Sequence, residues 1–166
     1  MGSLHQGFQA TDQPADIEAV FGWLDRMNGS PLIQQVKQQM LEVRPVGEGD
    51  HVLDVGCGLG HEVIRLAELV GPQGRVIGID ANSAMVTEAR RRAAGLTLPI
   101  AFEVGDARHV GFPDNTFDLC RTERVLSWTA RRQRWWRWPV WRVLADPCWP
   151  LTSTLIRPWS TRRTRR

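Results

Sequence analysis

Val52-Leu53-Asp54-Val55-Gly56-Cys57-Gly58-Leu59-Gly60 decides how the rest of the chain is read. Apolar and β-branched residues run into glycines at every second position, and an apolar-rich segment with helical spacing follows. The pattern predicts a buried strand, a tight turn and a helix over about residues 60–70. Glycines admit positive φ and leave bare main chain for a ligand to lie against. The first amides of the helix point back into the turn. Such a crevice, at the end of a parallel strand, is where open α/β sheets bind ligands.

Two ligand classes compete for that crevice. A dinucleotide fingerprint needs glycines in a G-x-G-x-x-G pattern, so that a pyrophosphate can approach the helix end. Here that register would run Gly56, Gly58, His61, with a side chain where the third glycine is required. The pattern present is Asp-x-Gly-x-Gly-x-Gly, over Asp54, Gly56, Gly58 and Gly60, with Cys57 inside the turn. It resembles motif I of the class I S-adenosylmethionine-dependent methyltransferases. Their sulfonium ligand has no phosphate; its amino and carboxylate groups are held near the turn.

The resemblance extends downstream in order. Arg75-Val76-Ile77-Gly78-Ile79 reads as a second strand ending at Asp80, and an acid at that tip can accept both ribose hydroxyls of a nucleoside. The segment VIGIDANSAMVTEAR is similar to motif II, which implies Asp80 on the ribose and Ala81, Asn82 and Met85 along the adenine. Ile100–Val104 with Gly105, Asp106 and Ala107 is similar to the third motif, which implies that Asp106 accepts from the adenine amino group. FPDNTFDLCRTERVL resembles motif IV, with Phe117-Asp118 opening a fourth strand and Arg121 and Thr122 at its end. The likeness covers about residues 50–126. It implies an α/β, Rossmann-like doubly wound parallel sheet of strand order 3-2-1-4-5-7-6, of which this chain supplies strands 1 to 4. It also implies S-adenosyl-L-methionine as cofactor and methyl transfer as the activity.

Plainer readings accompany these. Alternating glycines sometimes serve only a tight turn, Asp80 could cap a helix starting near Ser83, and Asp106 could be an ordinary turn residue. Cys57, Cys120 and Cys148 include no C-x-x-C and no metal-ligand spacing, so they read as small buried residues. His5, His51, His61 and His109 are scattered; no metal site is expected.

Residues 1–49 are expected to be leading helices. Ile17, Val20, Phe21 and Leu24 recur at helical spacing, Asn28-Gly29 closes that helix, and Ser30-Pro31 opens another as N-cap and first helical residue. Leu32, Ile33, Val36, Met40 and Leu41 form its apolar stripe. In the resembled family such helices fold over the ligand. Residues 1–14 lack the basic and apolar regions of a signal peptide, and no apolar run approaches the ~20 residues needed to cross a bilayer. A cytoplasmic location follows as the expectation.

Residues 127–166 read differently. They hold seven of the eight tryptophans and no Gly, Glu or Lys. Residues 1–126 carry eleven Lys+Arg against seventeen Asp+Glu, a net of −6, whereas the tail carries ten Arg against Asp146, a net of +9. The tail could be a cationic interfacial or nucleic-acid arm. A translated frameshift fits better. Slipping back one base turns every Trp codon into one for Leu, Met or Val. It forces Thr129 to Asp, Trp136 to Val, and Pro139 and Pro150 to Ala, and it permits Arg-Pro-Gly-Gly over residues 143–146. That text resembles what the family carries after motif IV. Such a tail would have little fixed structure, and Phe117–Cys120 would become an open sheet edge prone to aggregation.

The expected function is methyl transfer from S-adenosylmethionine to a small-molecule acceptor, with no nucleic-acid or membrane partner, in a C-terminally disrupted and conceivably inactive chain. No residue can be named as a catalytic base, and the oligomeric state is not legible. The alternatives are a fragment of an NAD(P)-binding oxidoreductase and a non-enzymatic basic binder acting through the tail.

Overall fold

A computed structural model describes residues 14–43, 45–107, 109–113, 115–123, 142–143 and 154–157. Helices α1 (Pro14–Asn28) and α2 (Pro31–Val43) lead. Strand β1 (His51–Val55), helix α3 (His61–Val70), β2 (Arg75–Asp80), α4 (Ser83–Ala93), β3 (Ile100–Val104) and β4 (Leu119–Thr122) follow. Two short strands, β5 (Arg142–Val143) and β6 (Thr154–Arg157), come last. Among the described residues no helix is long and apolar enough to cross a membrane.

The sheet order is β3-β2-β1-β4-β6-β5. The first four strands are parallel, as the likeness implied, with Val52 opposite both Val76 and Leu119, and Asp54 opposite both Gly78 and Arg121. Each βαβ crossover returns the chain to the same end of the sheet, so the carboxyl ends of β1, β2, β3 and β4 converge. Parallel strands are covered on both faces, and β1 shows it: only His51 is exposed. On one face Val63, Leu66, Ala67 and Val70 of α3 pack with Val86 and Ala89 of α4 onto Val52, Val76 and Leu119. On the other, Leu53, Val55, Ile77 and Ile79 meet Cys120 and Phe117, whose ring stands edge-on to Phe112 at 5.0 Å.

Two expectations are revised. β4 begins two residues later than Phe117, because Asp118 is spent on bracketing β1: its carboxylate accepts from His51 N at 2.9 Å while its own N–H donates to His51 O at 2.8 Å. The open edge expected at Phe117–Cys120 is not found, since β6 pairs antiparallel with β4, Cys120 opposite Ile156 and Thr122 opposite Thr154. Unpaired edge amides and carbonyls accept any extended segment within reach, and Thr-Leu-Ile is β-favouring. Of residues 127–166, for which little fixed structure was expected, the described ones are 142–143 and 154–157, as short strands; the rest of that stretch, with all seven of its tryptophans, lies outside the described residues.

Candidate functional site

The turn after β1 is built from three glycines with positive φ: Gly56 at 78°, Gly58 at 51° and Gly60 at 79°. They serve different ends. A Cβ on Gly60 would stand 2.6 Å from Phe102 Cζ and 3.2 Å from Ala89 Cβ, so this glycine lets α3 start flush against β3 and α4. A Cβ on Gly58 would meet nothing within 4 Å. Space opens beside that main chain instead of packing against it.

The turn is laced to the end of β2. Gly56 N and Cys57 N both donate to Ile79 O, at 2.7 and 3.0 Å, and Gly60 N donates to Cys57 O at 2.9 Å. Asp80 completes the junction: one carboxylate oxygen accepts from Gly58 N at 2.9 Å and the other from Asn82 N at 2.9 Å. Burial pushes the Asp80 carboxyl above the usual carboxylate range, against the pull of those amide bonds. Asn82, not Asp80, caps α4, accepting from Ala84 N at 2.9 Å and Met85 N at 3.4 Å. The third strand joins the same corner, since Gly105 N donates to Asp80 O at 2.9 Å. Asp106 accepts from His109 N at 2.9 Å through its carbonyl, and half-buried Ala107 packs beside the Leu53 cluster.

The structure thus gathers Gly56, Cys57, Gly58, Asp80, Ala81, Asn82, Gly105 and Asp106 at the converging strand ends. Met85 lies under cover, packed with Leu59 and with Phe21 of α1. Asp54 and Arg121 face each other across β1 and β4 inside the sheet, 3.9 Å apart and 4% exposed each. Burial pushes Asp54 up to about 6 despite the neighbouring guanidinium. Cys57 and Cys120 are free and buried, and burial raises both thiols.

Arg121 and His61 were singled out from sequence, but their charged partners Glu62, Glu123, Lys37, Asp25 and Arg92 were not. Arg121 also donates to Glu62 at 2.8 Å and to Glu123 at 3.0 Å, and Lys37 of α2 sits 2.9 Å from the other oxygen of Glu62. Asp25 of α1 reaches His61 at 2.8 Å and Arg92 of α4. The Arg92 hydrogen bond holds the Asp25 carboxyl below its usual range against partial burial. Burial lowers the His61 imidazole, Asp25 opposing. The two leading helices are therefore fastened to the first turn of α3 by polar contacts, which leave no local sequence signature.

A family model described as a methyltransferase domain matches residues 47–137. An uncharacterised protein from a transposon of Streptomyces fradiae is 38% identical over 108 residues, 65% of this chain and 31% of that one. A demethylmenaquinone methyltransferase of Symbiobacterium thermophilum is 44% identical over 85 residues, 50% of this chain and 32% of that one. A solved structure of a SAM-dependent methyltransferase from Aquifex aeolicus aligns with TM-score 0.47 and 23% identity, covering 52% of this chain and 62% of that one. The chain spans about a third of the length of these two relatives. With more than half of its residues inside the matched model, the chain belongs to the methyltransferase-domain family, whose cofactor is S-adenosylmethionine.

Proposed function

We propose that the strand-end crevice binds S-adenosylmethionine and that the protein transfers its methyl group to a small molecule. The observation that carries this reading is the Asp80–Gly58 hydrogen bond beside an unfilled glycine face. The Asp80 oxygens accept from the Gly58 and Asn82 amides, and the Ala81 amide adds a third such bond; a carboxylate offers about four lone-pair sites, so it stays fixed and retains capacity for a ribose hydroxyl. Asp106 would meet the adenine amino group and Ala81 and Asn82 the ring face. Gly56, Cys57, Gly58 and Gly60 would offer main chain to the amino-acid end. Asp54 and Arg121, both buried, would shape that end from behind the turn.

The cofactor supplies an electrophilic methyl on a positively charged sulfur. The chain's part is to bind, orient and exclude water, and positioning of this kind supplies up to roughly 7–11 kcal/mol. The NAD(P) alternative is disfavoured by His61, a side chain at the position where the dinucleotide fingerprint needs its third glycine for close helix–strand packing. A small-molecule acceptor accords with the activity in the name of the Symbiobacterium relative. We further propose that residues 127–166 are a frameshift product: cofactor binding belongs to this chain, and methyl transfer to the form with the alternative frame restored, whose continuation would help close the acceptor pocket. Thermal shift decides the cofactor class: S-adenosylhomocysteine should raise the melting temperature of the full chain and NAD should not. The opposite result overturns the reading.

A further inference from the structure

Lys37 is the buried residue of α2, at 5% exposure. Lysine is almost never fully buried unless paired, and Lys37 is paired three ways. Its Nζ donates to Asn28 Oδ1 at the end of α1 at 2.8 Å, lies 2.9 Å from Glu62 Oε1 and is 3.8 Å from Glu123 Oε2 past the end of β4. One ammonium thus ties the helix pair to the first turn of α3 and to the exit of β4. Glu62 is shared between this lysine and Arg121, which donates to its second oxygen at 2.8 Å. Burial pushes the Glu62 carboxyl up, and the Arg121 and Lys37 charges more than offset that, holding it low.

The start of α3 needs such a tether. Its N-cap is Gly60, in the left-handed region and with no side-chain cap hydrogen bond, so the anchor that most helices take from Ser, Thr, Asp or Asn is missing. Glu62 lies two residues on and is the acidic side chain of that first turn. Three carboxylates (Asp54, Glu62 and Glu123) share two cations here. Without Lys37, Glu62 would keep Arg121 and the weaker pull of Arg65, but neither belongs to α2, so the tie from the helix pair to the turn before Glu62 would be cut. A buried ion pair adds little net stability over an apolar pair, and its best-attested use is to fix register.

We propose that Lys37 is a positioning residue for the cofactor turn, acting through Glu62 so that Gly56–Gly60 is held in its binding geometry only when the leading helix pair is docked. This rests on the reading of that turn as the S-adenosyl site. The test uses the full chain, with S-adenosylhomocysteine titration, melting temperature and amide exchange at Leu59–Ile64 measured side by side. Lys37→Met should weaken binding by about tenfold or more and speed exchange at Leu59–Ile64, leaving the amides of β1 and β2 protected; Lys37→Arg should restore binding to within about threefold. Wild-type affinity in Lys37→Met, or exchange accelerated equally across the sheet, would overturn the proposal. If Lys37→Met does not fold, Lys37→Met/Glu62→Gln removes both charges: weak binding on an intact sheet supports the role, and wild-type binding overturns it. A wild-type chain that binds no S-adenosylhomocysteine sinks the cofactor reading, and the exchange pattern alone then decides the role of Lys37.

Discussion

The Asp80 carboxylate accepts the main-chain N–H of Gly58 at 2.9 Å, so the acid that ends β2 is bonded to the middle of the turn that follows β1. Sequence places these residues far apart; the parallel pairing of β1 with β2, Val55 opposite Ile79, brings them into contact. The bond makes one rigid corner from two motifs. It also orients the carboxylate before any ligand arrives, which lowers the ordering cost of binding.

The two glycines of the turn should separate by experiment. Gly60→Ala introduces a Cβ 2.6 Å from Phe102 Cζ at a φ of +79°, and should cost about 1–3 kcal/mol of stability in denaturant melts. Gly58→Ala meets open space at φ +51°, and should cost only about 1–2 kcal/mol of conformational strain while weakening S-adenosylhomocysteine about tenfold or more. Equal binding by Gly58→Ala and wild type would mean that this glycine serves the turn alone.

A pH dependence should follow from Asp54. Burial raises its carboxyl from 3.8 to about 6, so the native state holds that proton more tightly than the unfolded chain does. The associated stability is present below about pH 4 and is lost as pH rises through 6. Asp54→Asn has no such proton. Its melting temperature relative to wild type should therefore rise between about pH 4 and about pH 7. A constant difference would show that Asp54 stays ionised throughout.

Asp25 should act locally. Its side chain is 43% exposed, so its pairs with His61 and Arg92 are worth at most about 1 kcal/mol. Asp25→Ala should leave the melting temperature nearly unchanged and speed amide exchange in α1. A large global loss would show that α1 is integral to the core.

The tail can be tested at the level of the gene. Restoring the alternative frame after Leu126 should raise the soluble fraction on expression and leave S-adenosylhomocysteine binding in place. No gain in solubility would count against the frameshift.

The turn, its flanking strand and helix, and the tip of β2 were legible because glycine spacing and β-branched runs act over a few residues. Gly60 began a predicted helix and proves to be its N-cap, a shift of one residue. The start of β4 was misjudged because Asp118 is drawn to the His51 backbone, a contact across the sheet that no local pattern announces. The Lys37–Glu62–Arg121 set was missed for the same reason. On sequence alone Lys37 is one polar residue in a helix rich in glutamine, and only docking of that helix puts it beside Glu62. Arg121 and Asp54 were singled out through motif likeness, and their direct pairing became visible only with the β1–β4 register.

The central claim is that Asp80 and the glycine turn form one S-adenosyl site. Titration calorimetry of S-adenosylhomocysteine into the full chain and into Asp80→Ala tests it most directly, with circular dichroism confirming that both are folded. Losing a charged acceptor costs about 1.5–3 kcal/mol per hydrogen bond, so the account predicts binding by the wild-type chain and affinity at least about tenfold weaker in Asp80→Ala. Unchanged affinity in a folded Asp80→Ala variant would contradict it.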